Sequence, residues 1–488
     1  MRRELPLGSA WIVLGIALAA ALAWQCETYA EDAAPAAADK AQQTGDVADG
    51  DVAEMVSLTQ AAPQLLPMLR QYPDYFGSPW HRQGSLFERS SLSGDWGGLR
   101  KNMVDKGIFF DMSLTQVYQG NLAGGRSTDE GMRYNGMLDY WLSIDTAKAG
   151  LWSGGLIMVH GVTAFGDAAN RQAGSLLPIN YTSLFPSPAG GPRDTGLPEV
   201  YVMQALSEEL TLVVGKFNLM GLGEQNAFAN NMRTQFLNTG LNNNPLLFGF
   251  APYTPLAVAA VIRPAPEHSI TLAIADREGR ANSAGWDTAF DRAVTCIAEW
   301  DIMARLGGQR GTYRFGALYT DQIVNQFATD RRTLIGQLVG LVPPRTEGSN
   351  HMAFFNFDQY LVTLDEEHDR GWGIFGRFGI APEDRNAISQ FYSFGVGGKG
   401  VIEGRPEDRF GIGWYCAHIS DDLQSGLGAV GLRAQNEHGI ELFYNIEITP
   451  SIHLTPDLQV IINPTATNGN VNSDDHAVVF GLRLQMDF

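Results

Sequence analysis

The chain has 488 residues but only three cysteines, and one of them, Cys26, falls in an N-terminal leader. A disulfide-stapled scaffold is therefore excluded, and nothing in the spacing of Cys296 and Cys416 demands that they pair. Positive charge is also scarce, with 34 Lys and Arg against 53 Asp and Glu and a net charge of −19. That balance argues against nucleic acid or an anionic membrane surface as partner, since both reward clustered cations. After residue 30 no apolar run approaches the roughly twenty residues a membrane helix needs, and Pro255–Ile262 is among the longest. With a mean hydropathy of −0.11, only a closed β-barrel could cross a bilayer. In a barrel, one face of each strand is apolar and every backbone polar group is paired between strands.

The ends of the chain carry their own signals. Met1-Arg2-Arg3, the apolar stretch Ala10 to Trp24 and the small-residue pattern Thr28-Tyr29-Ala30 before Glu31 read as a signal peptide over residues 1–30. The apolar stretch is short for a membrane anchor, and Trp24-Gln25 do not suit a lipoprotein processing site at Cys26. Export is expected. Residues 31–66, rich in Ala, Asp, Pro and Gln, read as an acidic disordered linker. Residues 67–106 end in "SLSGDWGGLRKNMVDKG", where Ser93 offers an N-cap, Trp96, Leu99 and Met103 share a helical face, and Gly107 offers a stop. A short helix that packs against, or plugs, the following domain is expected.

From 107 to 488 the period changes to two. In "AVVFGLRLQMDF", Val478, Phe480, Leu482, Leu484, Met486 and Phe488 share one parity, opposite Gly481, Arg483, Gln485 and Asp487. "IELFYNIEI" sets Leu442, Tyr444, Ile446 and Ile448 against Glu441, Phe443, Asn445 and Glu447, and "TYRFGALY" sets Tyr313, Phe315, Ala317 and Tyr319 against Arg314 and Gly316. About sixteen such segments fit, beginning 107–120, 133–145, 152–164 and 197–206 and ending 438–448, 452–462 and 476–488. Their connections alternate between long and short, as an outer-membrane barrel requires. The fold class expected is all-β: a closed antiparallel transmembrane barrel of about 16 strands with a short N-terminal helical segment. A soluble sandwich shows the same alternation, so parity alone leaves a secreted polysaccharide-binding protein open.

At the level of motifs, the chain resembles the carbohydrate-selective porins of the OprB type. The resemblance rests on "LSGDWGGLRKNMVDKGIFFDMSLTQVYQGNLAGG" (Leu92 to Gly125), "YNGMLDYWLSID" (Tyr134 to Asp145), "FYNIEITPSIHLTPDLQVIINP" (Phe443 to Pro464) and the closing "GLRLQMDF". It departs at Ser451, where relatives commonly carry Trp. The resemblance implies a channel in the outer membrane of a Gram-negative bacterium, surrounded by lipid and often trimeric. Such a channel passes small neutral sugars such as glucose, other monosaccharides and polyols, without a cofactor. It also implies that Phe488 is read by the barrel-assembly machinery.

Sugar passage calls for planar faces and for amide or guanidinium groups that meet hydroxyls. The third long connection, about 219–255, supplies Asn226, Asn230, Arg233, Phe228 and Phe236, and is expected to fold into the lumen and narrow it. Its asparagines are equally well explained as ordinary turn formers. The charges Glu299, Asp301, Arg314 and Arg377 share the polar parity of their strands and are the candidates for setting the field of the constriction. Other motifs fail on context. "GVGGKG" (Gly395 to Gly400) is not followed by a helix, "NGNVNSDD" (Asn468 to Asp475) lacks the glycine and glutamate of a calcium loop, and "DEEHD" (Asp365 to Asp369) reads as a solvated turn. No G-x-S-x-G elbow or H-E-x-x-H helix occurs, so an enzyme is not expected. The rival readings are a general porin with little sugar selectivity and a lipase-like barrel enzyme.

Overall fold

The computed structural model describes residues 84–186, 194–219, 223–279, 281–464 and 475–488. The stretches read as a signal peptide (1–30) and an acidic linker (31–66), residues 67–83 and most of the calcium-loop-like stretch lie outside them. Sixteen strands form the barrel. They are β1 (Ile108–Gly124), β2 (Arg133–Asp145), β3 (Gly155–Gly166), β4 (Thr195–Ala205), β5 (Leu210–Lys216), β6 (Leu256–Ala265), β7 (His268–Asp276) and β8 (Val294–Leu306). The second half contains β9 (Gln309–Thr320), β10 (Asn350–Asp365), β11 (Arg370–Ile380), β12 (Ile388–Lys399), β13 (Arg409–Ile419), β14 (Glu437–Thr449), β15 (Ile452–Ile462) and β16 (His476–Asp487). Each pairs antiparallel with its sequence neighbours, and β1 closes on β16 in a register running from Ser113 opposite Asp487 to Gly124 opposite Ala477. Closure leaves no free sheet edge, so every strand satisfies its backbone laterally.

The strands form where they do because their side chains alternate, and the alternation has the predicted sense. Along β16, Ala477, Val479, Gly481, Arg483 and Gln485 are buried inside, while Val478, Phe480, Leu482, Leu484 and Met486 face outward. Outward positions elsewhere carry a continuous apolar belt, with Trp300 44%, Phe315 47% and Leu442 49% exposed. An apolar surface of this extent needs a cover, and the inward polar wall makes lipid that cover. On β8 to β10 the belt becomes an aromatic seam, Trp300–Phe315–Phe355–Phe357, with ring centroids 6.3, 4.9 and 5.7 Å apart.

One end of the barrel has tight connections, among them 206–209, 266–267, 307–308 and 450–451, and the other carries the long ones, above all 167–194, 217–255 and 321–349. The simple alternation blurs at three places, one of them the connection 146–154 on the tight end, which is as long as 400–408. The connection 381–387 is brief on the long-loop end, and 400–408 is extended on the tight end, where Arg405 pairs with Asp408 at 2.7 Å and Tyr444 donates to the same carboxylate. The sequence "GVGGKG" lies in β12 and its continuation, and the charges around "DEEHD" are paired, Arg310 with Asp369 at 2.7 Å and His368 with Asp365 at 2.9 Å. Cys296 and Cys416 are both free, on β8 and β13.

The expected N-terminal helix is present as a 3-10 turn, Trp96–Gly98, followed by α1, Leu99–Asp105. Ser93 does not cap it; the cap position is Gly98 in a left-handed conformation. Ser91 and Ser93 instead face Arg100, which is 1% exposed. The Arg100 guanidinium donates to Ser91 Oγ (2.7 Å), to the carbonyls of Gly94 and Phe110, to Asp111 (3.0 Å) and to the carbonyl of Phe488 (2.9 Å). The segment thus caps the seam between the first and last strands, where Leu92 N also donates to Asp487 O at 2.8 Å. Replacing Arg100 by Met removes one partner of a buried ion pair, a change that typically costs about 3–5 kcal/mol. The folded, heat-modifiable band of Arg100→Met is therefore expected to be lost at lower urea concentration than that of the parent, and an unchanged midpoint would show that the seam closes without this clamp.

Candidate channel interior

The first three long connections are L1 (125–132), L2 (167–194) and L3 (217–255). L3 folds into the barrel, and its ties to the wall can be followed residue by residue. Asn218 N donates to Glu199 Oε1 at 3.1 Å, Glu224 N to Glu299 Oε2 at 2.8 Å, and Asn226 Nδ2 to Asn356 Oδ1 at 2.8 Å. Further along, Leu237 N and Asn238 N both donate to Glu441, at 2.6 and 2.8 Å, and Met232 O accepts from Arg483 at 2.9 Å. The donors and acceptors on the wall come from β4, β8, β10, β14 and β16. A loop that takes bonds from so much of the circumference crosses the lumen.

The central tie is Arg377 on β11, 3% exposed. Its Nε meets Glu224 Oε1 at 2.7 Å, and its terminal nitrogens donate to the carbonyls of Leu241 (3.0 Å), Asn242 (3.1 Å) and Ala229. Burial pushes the Glu224 carboxyl above its ordinary range, and the Arg377 guanidinium offsets part of that rise. Glu224 also holds a left-handed backbone, φ 56°, which non-glycine residues seldom adopt, and its carboxylate accepts Asn244 N at 3.1 Å. Strain of this kind persists only where the surroundings over-determine it.

Apolar packing completes the loop's seat. Phe236 is fully buried between Phe375 (5.4 Å) and Phe443 (4.8 Å), and Phe228 lies 4.7 Å from the Tyr360 ring. Wall glycines make the room. A Cβ on Gly397 would sit 2.7 Å from Phe228 Cβ, and one on Gly413 would sit 2.8 Å from Leu241 Cδ2. L2 backs L3 from the other side, where Tyr181 N donates to Leu237 O (2.7 Å) and Thr239 N to Pro178 O (3.0 Å).

L3's asparagines act mostly as local formers of structure. Asn226 accepts Phe228 N, Asn231 accepts Arg233 N, Asn238 starts the turn Thr239–Asn242, and Asn244 starts Pro245–Gly249. Each is the side-chain to backbone bond that makes asparagine common in turns and caps.

Beneath L3, toward the tight-turn end, a cavity of about 840 Å³ opens inside the barrel. Of the residues singled out in the sequence, Asn226, Phe228, Asn230, Asp301 and Arg314 line it. The other four lie outside its lining: Phe236 is in the loop's core, Glu299 holds Glu224 N, Arg377 anchors L3, and Arg233 pairs with Asp139 at 2.8 Å while stacking on Trp141 at 5.1 Å. Asn231, another asparagine of the 219–255 connection, lines the cavity too, and sequence reasoning missed Gln225, Gln235, Asp358, Tyr360 and the cations at strand ends, including Arg310, Lys399 and Arg409. Parity assigns each of the strand residues to the lumen, but only the path of L3 decides which lumen residues it covers.

A sixteen-stranded closed barrel with an inward-folded third loop defines a porin-type protein. The model of the carbohydrate-selective porin, OprB family matches residues 129–488, and the chain belongs to that family. It is 22% identical over 447 residues to Porin B of Pseudomonas aeruginosa, covering 84% of this chain and 94% of that protein. It is 21% identical over 454 residues to the putative porin QuiX of Acinetobacter baylyi, covering 82% and 94%. The high-pH structure of Pseudomonas putida OprB superposes with a TM-score of 0.71 at 19% identity, over 82% of this chain and 99% of that one. Family and fold together imply the outer membrane of a Gram-negative bacterium, and channel-forming relatives point away from an enzyme.

Two substitutions test the seat of L3. Arg377→Met and Gly413→Leu are each expected to leave a folded barrel while loosening the loop, raising single-channel conductance severalfold and adding current noise in planar bilayers. Conductance equal to the parent's in both would mean that L3 is held without them.

Proposed function

We propose that the protein is a passive diffusion channel for small carbohydrates, such as glucose, other monosaccharides and polyols, with no cofactor and no covalent step. The observation that carries this reading is the cavity beneath L3. Its volume lies in the range of small-molecule sites, and it is lined by Gln225, Asn226, Asn230, Asn231 and Gln235 together with Phe228 and Tyr360. Amides match hydroxyls as both donors and acceptors, and aromatic faces match the C–H face of a pyranose. Family membership supports the same substrate class.

In this reading the tight-turn end faces the periplasm and the long loops face outward, as in other barrels of this type. L3 forms the constriction, with Asn226, Asn230 and Phe228 at its lower surface, Asp301 and Arg314 on the wall opposite, and Phe236, Arg233, Glu299 and Arg377 holding it in position. Homotrimer formation and recognition of Phe488 by the assembly machinery belong to the same proposal. The outward aromatic seam supplies one surface on which subunits can pack.

Conductance of the purified protein in planar bilayers, titrated with glucose and a disaccharide, tests the proposal. Stepwise channels whose current falls with glucose are expected, and Tyr360→Ala should weaken that block about threefold to tenfold, the loss of one ring contact. Channels indifferent to every sugar would replace the reading with a general porin.

A further inference from the structure

The channel interior differs in sign from the chain. Against a net charge of −19, the cavity is lined by the cations Arg263, Arg305, Arg310, Arg314, Lys399 and Arg409. Its acidic lining is smaller: Glu267, Asp301, Asp358 and Asp369. Most of the cations come from the tight-turn ends of their strands, so the excess is concentrated at the periplasmic half of the lumen.

Following each cation to its partner narrows the site. Arg314 meets Asp358 at 2.7 Å, Arg310 meets Asp369 at 2.7 Å and lies 4.2 Å over the Tyr360 ring, and Arg305 pairs with Glu366. Lys399 meets Glu407 at 2.6 Å. Arg409 makes no ion pair among the described residues. It stands directly opposite Lys399 in the β12–β13 register and opposite Asn445 on its other side, so no acid faces it across either neighbouring strand. Of the acids nearby, Asp408 is occupied by Arg405, Tyr444 and the Glu447 amide, and Glu447 lies two residues nearer the turn than Asn445. His453 on β15 is within electrostatic reach of both cations and of Glu407 and Asp408, and its Nδ1 is buried with no hydrogen-bond partner among the described residues. Like charges directly opposite on one face of a sheet destabilise it; Glu407 already answers Lys399, which leaves Arg409 as the cation of the pair without an ion-pair partner among the described residues.

We infer that Lys399 and Arg409 form a carboxylate-recognition site in the periplasmic half of the lumen, and that the channel's substrates include polyhydroxy monocarboxylates, the sugar acids, in addition to neutral sugars. This rests on the reading of the cavity as a carbohydrate path. The L3 amides receive the hydroxyl groups on one side, and the Lys399–Arg409 pair receives the carboxylate on the other through charge-assisted hydrogen bonds. The steered entry of anions into a cationic cleft adds to the on-rate, an effect that salt suppresses.

The test uses the full-length protein in planar bilayers, with D-glucose and sodium gluconate as probes and a KCl gradient for ion selectivity. The parent is expected to favour chloride over potassium and to be blocked by gluconate at about tenfold lower concentration than by glucose, the worth of one good charge-assisted contact. Arg409→Gln should abolish that preference and leave glucose block unchanged, and Arg409→Lys should restore most of it. Equal block by gluconate and glucose in the parent overturns the inference while leaving the carbohydrate channel intact. Equal loss of both in Arg409→Gln, with Arg409→Lys no better, also overturns it, by making Arg409 a structural residue. Block by neither solute rejects the channel reading and this inference together.

Discussion

The interior depends on one buried ion pair. Arg377 reaches from β11 into the lumen and binds Glu224 together with three backbone carbonyls of L3, so a single guanidinium uses its donors to hold both halves of the loop. A buried charge of this kind is tolerable only because all the surrounding groups are paired with it, and removing either partner leaves an uncompensated charge. The carboxylates of Glu199, Glu299 and Glu441 do the complementary work, each accepting backbone amides of the loop from another part of the wall. L3 is therefore part of the barrel's polar lining and not a flap laid across its mouth. The channel that remains is what L3 leaves uncovered.

Two kinds of residue make that arrangement fit. Glycines such as Gly397 and Gly413 remove side chains from the wall where Phe228 and Leu241 need the space, so apolar packing is possible inside an otherwise polar lumen. Asparagines of L3 bend the chain locally by bonding to amides two residues on, which frees the loop from any regular element while still satisfying its backbone. Outside, the same strands present an uninterrupted apolar belt. At the seam, Arg100 fastens the N-terminal segment to the carbonyl of Phe488, so both ends of the barrel sequence meet at one polar contact.

The strands were legible because the physics that selects them is local. A barrel strand must put one parity in lipid and the other in the lumen, so "AVVFGLRLQMDF" and "IELFYNIEI" declare their faces without reference to any partner. The short helix was visible at Trp96 to Met103, but its start was not: Ser93 looked like a cap, and only the fold showed that Arg100 claims it. Within the channel, Asn226, Phe228, Asn230, Asp301 and Arg314 were readable as lining from residue type and parity. Arg377 and Phe236 were equally readable as inward and proved to be beneath the loop. Arg409 carried no motif and Lys399 only the discounted "GVGGKG"; both are strand-end cations whose meeting depends on register.

Taken alone, the sequence determined the strands and their two faces, because a period of two with segregated polarity is a local pattern, and the alternation of long and short connections pointed from there to a closed antiparallel barrel with a wet interior and a lipid exterior. It determined as well that the third long loop is rich in groups suited to hydroxyls. Tertiary structure decided which of those groups face the open cavity and which are consumed in holding the loop. It also decided that the cavity is cationic while the chain is strongly acidic. The reason is that accessibility and local charge depend on pairings between residues hundreds of positions apart, and no local pattern records those.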